Sequence, residues 1–575
     1  MATLLVFTVM LPMLGSLFLF LSPRLHMKTA RAVALGTALG TLVLSLVILF
    51  AFQAEISTPQ FAFMDGEKYG LSWMEQPDIR FSLGLDGLSV WLFGLTSLLM
   101  ITAIFASWES ITDRAPLHYA FLLALETGLL GLFSSLDIIL FYIFFEFTLI
   151  PLFFLIGIWG GPERRRASIT FFLYTLAGSL LTLLGVIALV VIHYQHSPDH
   201  TLTFSIPELR QGLSNLSWEP WGEAWTMSRP WTASPQVLVF LLLFAGFAIK
   251  VPMFPFHTWL PLAHVEAPTA GSILLAGVLL KVGSYGLLRF NLSMTPYGAV
   301  VLWPLLATLA VLGILYGAFA ALAQTDIKRL IAYSSVSHMG FIVLGLFAFN
   351  STGMDGAAIQ MINHGITTGA LFACVGVIYE RYHTREIADL GGLWNRLPLF
   401  TFFFILASMG SAALPGLNGF VGEFPILAGM FERSSRAAAF ASVGMIVGAW
   451  YLLWMLQRVV FGPLREPHSS GHDHAHGSNH ESDHVVKPIG WHEIAGLTPL
   501  MVLIVLIGIF PQPIFDRIRP AVKLVAEPFA ASDQAKKNAE NRGSVHLPQE
   551  VSPAEGNSLP DAPIHQVVSI PKGSR

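Results

Sequence analysis

The chain has 575 residues, of which 54% are hydrophobic and only 12% charged, and its mean hydropathy is +0.64. A composition this apolar excludes an ordinary soluble globular domain and points to an integral membrane protein. The formal net charge of -4 is spread over loops and tail, which gives no basic face for nucleic acid, and the single cysteine, Cys374, excludes an internal disulfide or a thiolate metal cluster.

Runs of roughly 20 apolar residues, enough to cross a hydrocarbon core of about 30 Å, recur along the chain, so the spans are predicted to be helices and not barrel strands. About fourteen are read, at 2–22, 29–52, 84–107, 116–134, 137–158, 168–194, 236–262, 268–290, 297–321, 328–348, 357–380, 398–430, 436–462 and 495–511. The first lacks a basic leading segment and is followed by Arg24, Lys28 and Arg31, so it is kept as a span and not as a cleaved signal peptide. With this count Arg24/Lys28/Arg31, Arg164/Arg165/Arg166, Lys328/Arg329 and Arg381/Arg385/Arg396 all fall on one side, which is therefore the cytoplasmic side. The even number of spans then leaves both termini outside.

The expected fold class is an all-α polytopic membrane protein of about fourteen transmembrane helices, with two inverted five-helix repeats and discontinuous helices seven and twelve. Its parts are expected at 1–115 (three leading spans), 116–290 and 291–462 (the two repeats), 463–494 (a His-rich cytoplasmic loop), 495–511 (the last span) and 512–575 (a polar tail). The tail is rich in Pro, Ser, Asn, Gln and charge and is expected to stay flexible or to lie against partners. The loop segment PHSSGHDHAHGSNHESDH, with His468, His472, His474, His476, His480 and His484, is read as a solvated linker and not as a functional metal site.

Two spans contain helix breakers at membrane depth. KVPMFPFHTWLP carries Pro252, Pro255 and Pro261, and SMGSAALPGLNGFVGEFPIL carries Pro415, Gly416 and Gly419. Proline removes a backbone donor and clashes with the preceding turn, so each helix is predicted to break where lipid cannot satisfy the freed groups. Paired breaks five spans apart are the expected trace of internal repeats, with sites near the bilayer midplane.

Ionisable side chains cluster around these breaks. Lys281 lies about 13 residues into span eight, close to mid-membrane, and Lys250 sits just before the first break. Glu146 in span five, Glu126 in span four and Glu423 just beyond the second break supply carboxylates, while His338 and His364 add polar steps between them. An uncompensated charge at mid-bilayer costs about 2.5–3.5 kcal/mol on insertion scales. Buried ion pairs are seldom net stabilising, so a proton relay is a better account of Lys250, Lys281 and Glu146 than structural pairing. For His338 and His364 a neutral imidazole bonded to a nearby carbonyl or serine is the competing account. Asp137 is read as a possible cap of span five, and Asp86 and Asp326 as helix-end or partner residues.

The stretches LDIILFYIFFEFTLIPLFFLIGIWGG, KVPMFPFHTWLPLAHVEAPTAGSILLAGVLLKVGSYGLLRF, TDIKRLIAYSSVSHMGF and LPGLNGFVGEFPIL resemble the signatures of the proton-translocating antiporter-like subunits of respiratory complex I. The resemblance covers roughly residues 84–462 and is nearest to the family's M-type branch, because Glu423 stands where the L and N types carry lysine. It implies that Glu146 and Lys250 form a pumping pair, that Lys281 is the central relay lysine and Glu423 the terminal acid, and that His257, His338 and His364 link the sites. His264 and Glu266 fall near the cytoplasmic end of the relay.

The resemblance also implies a subunit of NADH:quinone oxidoreductase with no cofactor of its own, in a bacterial cytoplasmic membrane. NADH, FMN, Fe-S clusters and quinone would then reside in partners, and L-type and N-type chains would be neighbours. A cation/proton antiporter subunit of the Mrp type, or a membrane subunit of an energy-converting hydrogenase, is the alternative.

Overall fold

The computed structural model describes residues 1–197, 200–215, 235–467 and 486–543. Met1–Ala530 forms one compact unit and Ala531–Arg575 a second; the geometry below belongs to the first. The His-rich segment from His468 to His484 lies outside the described residues.

Twelve helices among the described residues are long and apolar enough to cross a membrane, and two shorter apolar ones, Pro235–Lys250 and Pro398–Ser411, are the leading halves of broken spans. In chain order the helices are α1 (Ala2–Leu21), α2 (Met27–Ala51), α3 (Ser89–Ala106), α4 (Ala115–Ser134), α5 (Ile138–Trp159) and α6 (Arg164–His196). Then follow the short α7 (Ile206–Asn215), the halves α8 (Pro235–Lys250) and α9 (Trp259–Glu266), and the spans α10 (Thr269–Leu292), α11 (Pro296–Leu322), α12 (Ile327–Leu346) and α13 (Ser351–Tyr382). One turn, α14 (Leu393–Arg396), precedes the halves α15 (Pro398–Ser411) and α16 (Asn418–Arg433), and α17 (Ser435–Val459), α18 (Trp491–Ile509) and α19 (Gln512–Gly543) complete the order. Between α2 and α3 lie two small antiparallel pairs, β1 (Met64–Asp65) with β2 (Lys68–Tyr69) and β3 (Leu71–Met74) with β4 (Ile79–Phe81).

Helix ends are set by local chemistry. The Asp137 carboxylate accepts from the Ile139 and Leu140 amides and so starts α5, Asp326 does the same for α12 through the Arg329 amide, and Asn350 for α13 through Gly353. Asp86 and Ser89 exchange side-chain and backbone hydrogen bonds at the entry to α3.

The spans from α4 to α10 and from α11 to α17 each hold five crossings, with the broken one fourth in each block. Because five is odd, the two blocks cross in opposite senses. Matching pairs also pack together: α6 lies against α8 as α13 lies against α15. The apolar stretches of α10 and α13 are wholly buried, so these two helices form the centre of the bundle.

Both predicted breaks are present. After Lys250 the chain turns until α9 starts at Trp259, and the Trp259 indole N–H closes the gap by donating to the Ile249 carbonyl at 3.0 Å. Between α15 and α16 the Asn363 amide donates to the Asn418 carbonyl at 2.7 Å and the Asn418 amide returns a bond to the Asn363 carbonyl at 3.3 Å. At the first break a helix-end carbonyl is thus met by a side chain, and at the second the paired asparagines tie the start of α16 to α13. Gly419 is required here, since a Cβ on it would meet the Gly410 carbonyl oxygen at 2.0 Å.

Two expectations are corrected. The polar tail was placed at 512–575, yet Gln512–Gly543 is helical, and Ile514, Ile518, Val522, Val525 and Phe529 are buried along one side of α19. Span eight, which the sequence presents as one continuous apolar helix at 268–290, is π-helical at Leu275–Leu279 and again at Leu287–Leu292, on both sides of Lys281. An i→i+5 ladder releases carbonyls that an α-helix would occupy.

The last span is tied to the bundle by one buried ion pair. Arg381 of α13 meets Glu493 of α18 through two bonds of 2.7 Å, and its other guanidinium hydrogens reach the Lys487, Pro488 and Val377 carbonyls. Arg381→Ala would leave Glu493 buried without its partner at a cost of about 3–5 kcal/mol. Thermal denaturation of the purified complex is expected to show early loss of this subunit; an unchanged profile would contradict the role of the pair.

Candidate functional site

The two fully buried helices carry the centre of the site. Lys281 is 0% exposed, and its ammonium donates to the Ala276 carbonyl, which lies in the first π segment, and to His364 Nδ1 at 2.7 Å. The ammonium is therefore held between a backbone dipole on its own helix and an imidazole on α13.

His338, on α12, continues the line. Its ring lies 5.5 Å from that of His364, centroid to centroid. Its Nδ1–H donates to Glu423 Oε1 at 2.7 Å, and its Nε2 lies 3.2 Å from the Ser411 hydroxyl, at the last residue of α15. Glu423, 2% exposed, takes a second bond from the Gln360 amide at 3.1 Å. The sequence Lys281, His364, His338, Glu423 is thus a polar line through the apolar core, with one gap, between the imidazoles, not closed by a direct hydrogen bond. His364 Nε2, which has no hydrogen-bond partner among the described residues, is the nitrogen left for that gap.

The other end of the site is looser. Lys250 is 2% exposed and ends the half-helix α8, where the negative end of the helix dipole favours a cation. Its ammonium lies 4.6 Å from the Phe145 ring centroid, a cation–π contact. Glu146, the next residue of α5, is the charge that Lys250 senses, but the two form no ion pair within 4.0 Å among the described residues, and Glu146 Oε1 has no hydrogen-bond partner.

Not every residue singled out in the sequence joins this line. Glu126 is wholly buried on α4 with neither carboxylate oxygen hydrogen-bonded. His257 sits in the first break, its ring against Phe254 and Tyr316. His264 is stacked on Phe372 with a 4.6 Å centroid separation, and Glu266 accepts from the Glu163 amide at 2.8 Å. Gln360, Ser411 and the Ala276 carbonyl belong to the site without having been foreseen. Gln360 had a legible signal: it lies four residues before His364 in an otherwise apolar span and so shares its face.

Against known proteins, the family described as NADH:quinone oxidoreductase/Mrp antiporter, TM, matches residues 135–448. The chain is 42% identical over 504 residues to NADH-quinone oxidoreductase subunit M of Rhodobacter capsulatus, covering 88% of this chain and 92% of that one. It is 38% identical over 516 residues to NADH-ubiquinone oxidoreductase chain 4 of Chondrus crispus, covering 89% and 96%. A chain of respiratory complex I from Thermus thermophilus with bound NADH superposes with a TM-score of 0.77 at 29% identity, covering 91% of this chain and 99% of that one. A chain of the Mrp complex from Dietzia sp. shares the fold, with a TM-score of 0.75 at 20% identity over 92% and 98%.

The pair of donors on Glu423 sets an expectation for stability. Glu423→Ala would leave the His338 and Gln360 donors buried without an acceptor, at about 1–3 kcal/mol for each. Glu423→Gln keeps an oxygen in place and is expected to cost less. Thermal inactivation of the two variants in the assembled complex checks the order, and equal midpoints would contradict it.

Proposed function

Because the chain belongs to the membrane-subunit family of NADH:quinone oxidoreductases and Mrp antiporters, we propose that it is the M-type proton-translocating subunit of an NADH:quinone oxidoreductase, moving protons along the line from Lys281 to Glu423. It resides in a bacterial cytoplasmic membrane beside other membrane subunits, including L-type and N-type chains. NADH, FMN, Fe-S clusters and quinone are held by partners, and their redox energy reaches this chain through electrostatics and changes of conformation.

The observation that carries this reading is the connected line itself. Four ionisable groups from α10, α13, α12 and α16 meet in a core where an unpaired charge is costly, and three of their links are hydrogen bonds or the contact of two imidazoles. Lys281 gives a proton to His364, reorientation of an imidazole passes it to His338, and Glu423 receives it or returns it. Lys250 and Glu146 gate the other end. Bringing the Glu146 carboxylate toward Lys250 favours the ammonium, and withdrawing it lets the proton leave. Their present separation, with Lys250 resting on Phe145, corresponds to the withdrawn arrangement.

An Mrp-type antiporter subunit is the second reading, favoured only by the shared fold. The relatives at 42% and 38% identity are named as oxidoreductase chains, which favours the first. Co-purification with NADH-reducible flavin and Fe-S proteins supports the first; Na+ efflux without NADH oxidation supports the second.

Lys250→Ala and Glu146→Gln in the assembled complex test the gate. Loss of a positioned proton donor or acceptor is worth about 10²-fold or more in rate, so proton uptake and the quinone reduction coupled to it are expected to fall together by that order. Both activities at the wild-type level in an intact complex would show that the pair does not gate pumping.

A further inference from the structure

Away from the relay, where α3 begins and α10 ends, the structure encloses a small pocket lined by Ser57, Asp86, Arg210, Arg289, Ser293 and the α19 residues Ala521, Leu524 and Val525. It has room for about two or three water molecules, the bulk of a phosphate group. Its charge is unbalanced. Asp86 is the one carboxylate in the lining, and both its oxygens are taken: Oδ1 accepts from the Leu88 and Ser89 amides, and Oδ2 pairs with Arg289 Nη2 at 2.6 Å. Arg289 also directs Nε and Nη2 to the Tyr285 hydroxyl at 3.0 and 2.9 Å. Arg210, half-buried on α7, has no carboxylate within ion-pair distance among the described residues. Burial and the neighbouring Arg289 guanidinium push it below its ordinary value, with Asp86 pulling the other way.

We propose that this pocket binds the phosphate of an anionic phospholipid from the outer leaflet, with Arg210 and Arg289 as the cationic side and Leu524 and Val525 of α19 as the apolar side. Two guanidiniums facing one saturated carboxylate leave one positive charge to be met, and planar guanidinium forks suit phosphate oxygens. The depth favours a lipid over a soluble anion. Arg289 is three residues from the end of α10 and Asp86 three residues before the start of α3, which places the pocket at the headgroup layer and not in bulk water. The wall contributed by α19 fits the same level. This helix follows the last span, buries Ile514, Ile518, Val522 and Val525, and turns Arg519 and Lys523 outward, as an interfacial helix does. It also reaches the entry of α3 closely enough that a Cβ on Gly87 would overlap the Arg517 carbonyl. A bound headgroup would therefore tie α7, α19, α3 and α10 together at one point.

The test uses the intact complex reconstituted in phosphatidylcholine bilayers with or without phosphatidylglycerol, carrying a photoreactive residue in place of Leu524. Covalent capture of phosphatidylglycerol in preference to phosphatidylcholine, reduced about tenfold by Arg210→Gln, is expected; tenfold corresponds to 1.4 kcal/mol of binding. Arg210 is partly exposed and outside the relay, so this variant should assemble and reduce quinone normally. Equal capture of both lipids, or capture unaffected by Arg210→Gln, would overturn the proposal. If inorganic phosphate abolishes labelling of the pocket while no lipid is captured, the occupant is a free anion and the lipid assignment fails. A second photoreactive position, in place of Ala521, gives the same readout if the Leu524 variant does not assemble.

Discussion

A buried ammonium is costly without acceptors, and two are placed beside that of Lys281: the Ala276 carbonyl and His364 Nδ1. The helix that carries Lys281 departs from α-helical bonding at Leu275–Leu279 and offers the Ala276 carbonyl to the ammonium, and α13 brings His364 to it as well. Both helices are enclosed by the rest of the bundle and Lys281 is fully buried, so protein groups surround the ammonium. The same low-dielectric setting that makes an isolated charge costly makes its transfer to a neighbour sensitive to small displacements.

The two broken helices answer a related constraint. Backbone amides and carbonyls freed at membrane depth have no partner in lipid; the Trp259 indole meets one such carbonyl at the first break, and at the second the Asn363–Asn418 exchange fixes the start of α16 against α13. Each break in turn positions a working group. Lys250 ends the half-helix before the first, and Glu423 lies in the second turn of the half-helix after the second. The five-span blocks cross in opposite senses, so these two groups come from related places in the two halves, and Lys281, His364 and His338 lie between them in the proposed path.

Much of this was legible in the residues. Hydrophobic runs gave the number and order of the spans because lipid imposes a length, and proline gave the breaks because it imposes a missing donor. The ionisable set stood out against an apolar background, and Lys281, His338, His364 and Glu423 do meet. The π segments beside Lys281 left no mark, since a one-residue shift in hydrogen bonding changes neither composition nor period enough to read. Helix α19 was hidden differently. Its buried residues recur at helical spacing, but the charged and proline-rich sequence around them dominated the average. The separation of Glu146 from Lys250 and the role of Gln360 depend on side-chain direction, which spacing along the chain does not fix.

The account rests on His364, the one side chain among the described residues that hydrogen-bonds the Lys281 ammonium, and that is where it is most exposed to refutation. His364→Leu keeps much of the side-chain volume on a buried helix while removing both nitrogens. Proton translocation by the variant complex in sealed vesicles, followed together with NADH-driven quinone reduction, is the direct measurement. A well-assembled complex with proton movement reduced about 10²-fold is the expected result. Wild-type proton movement through the same complex would mean that protons take another route.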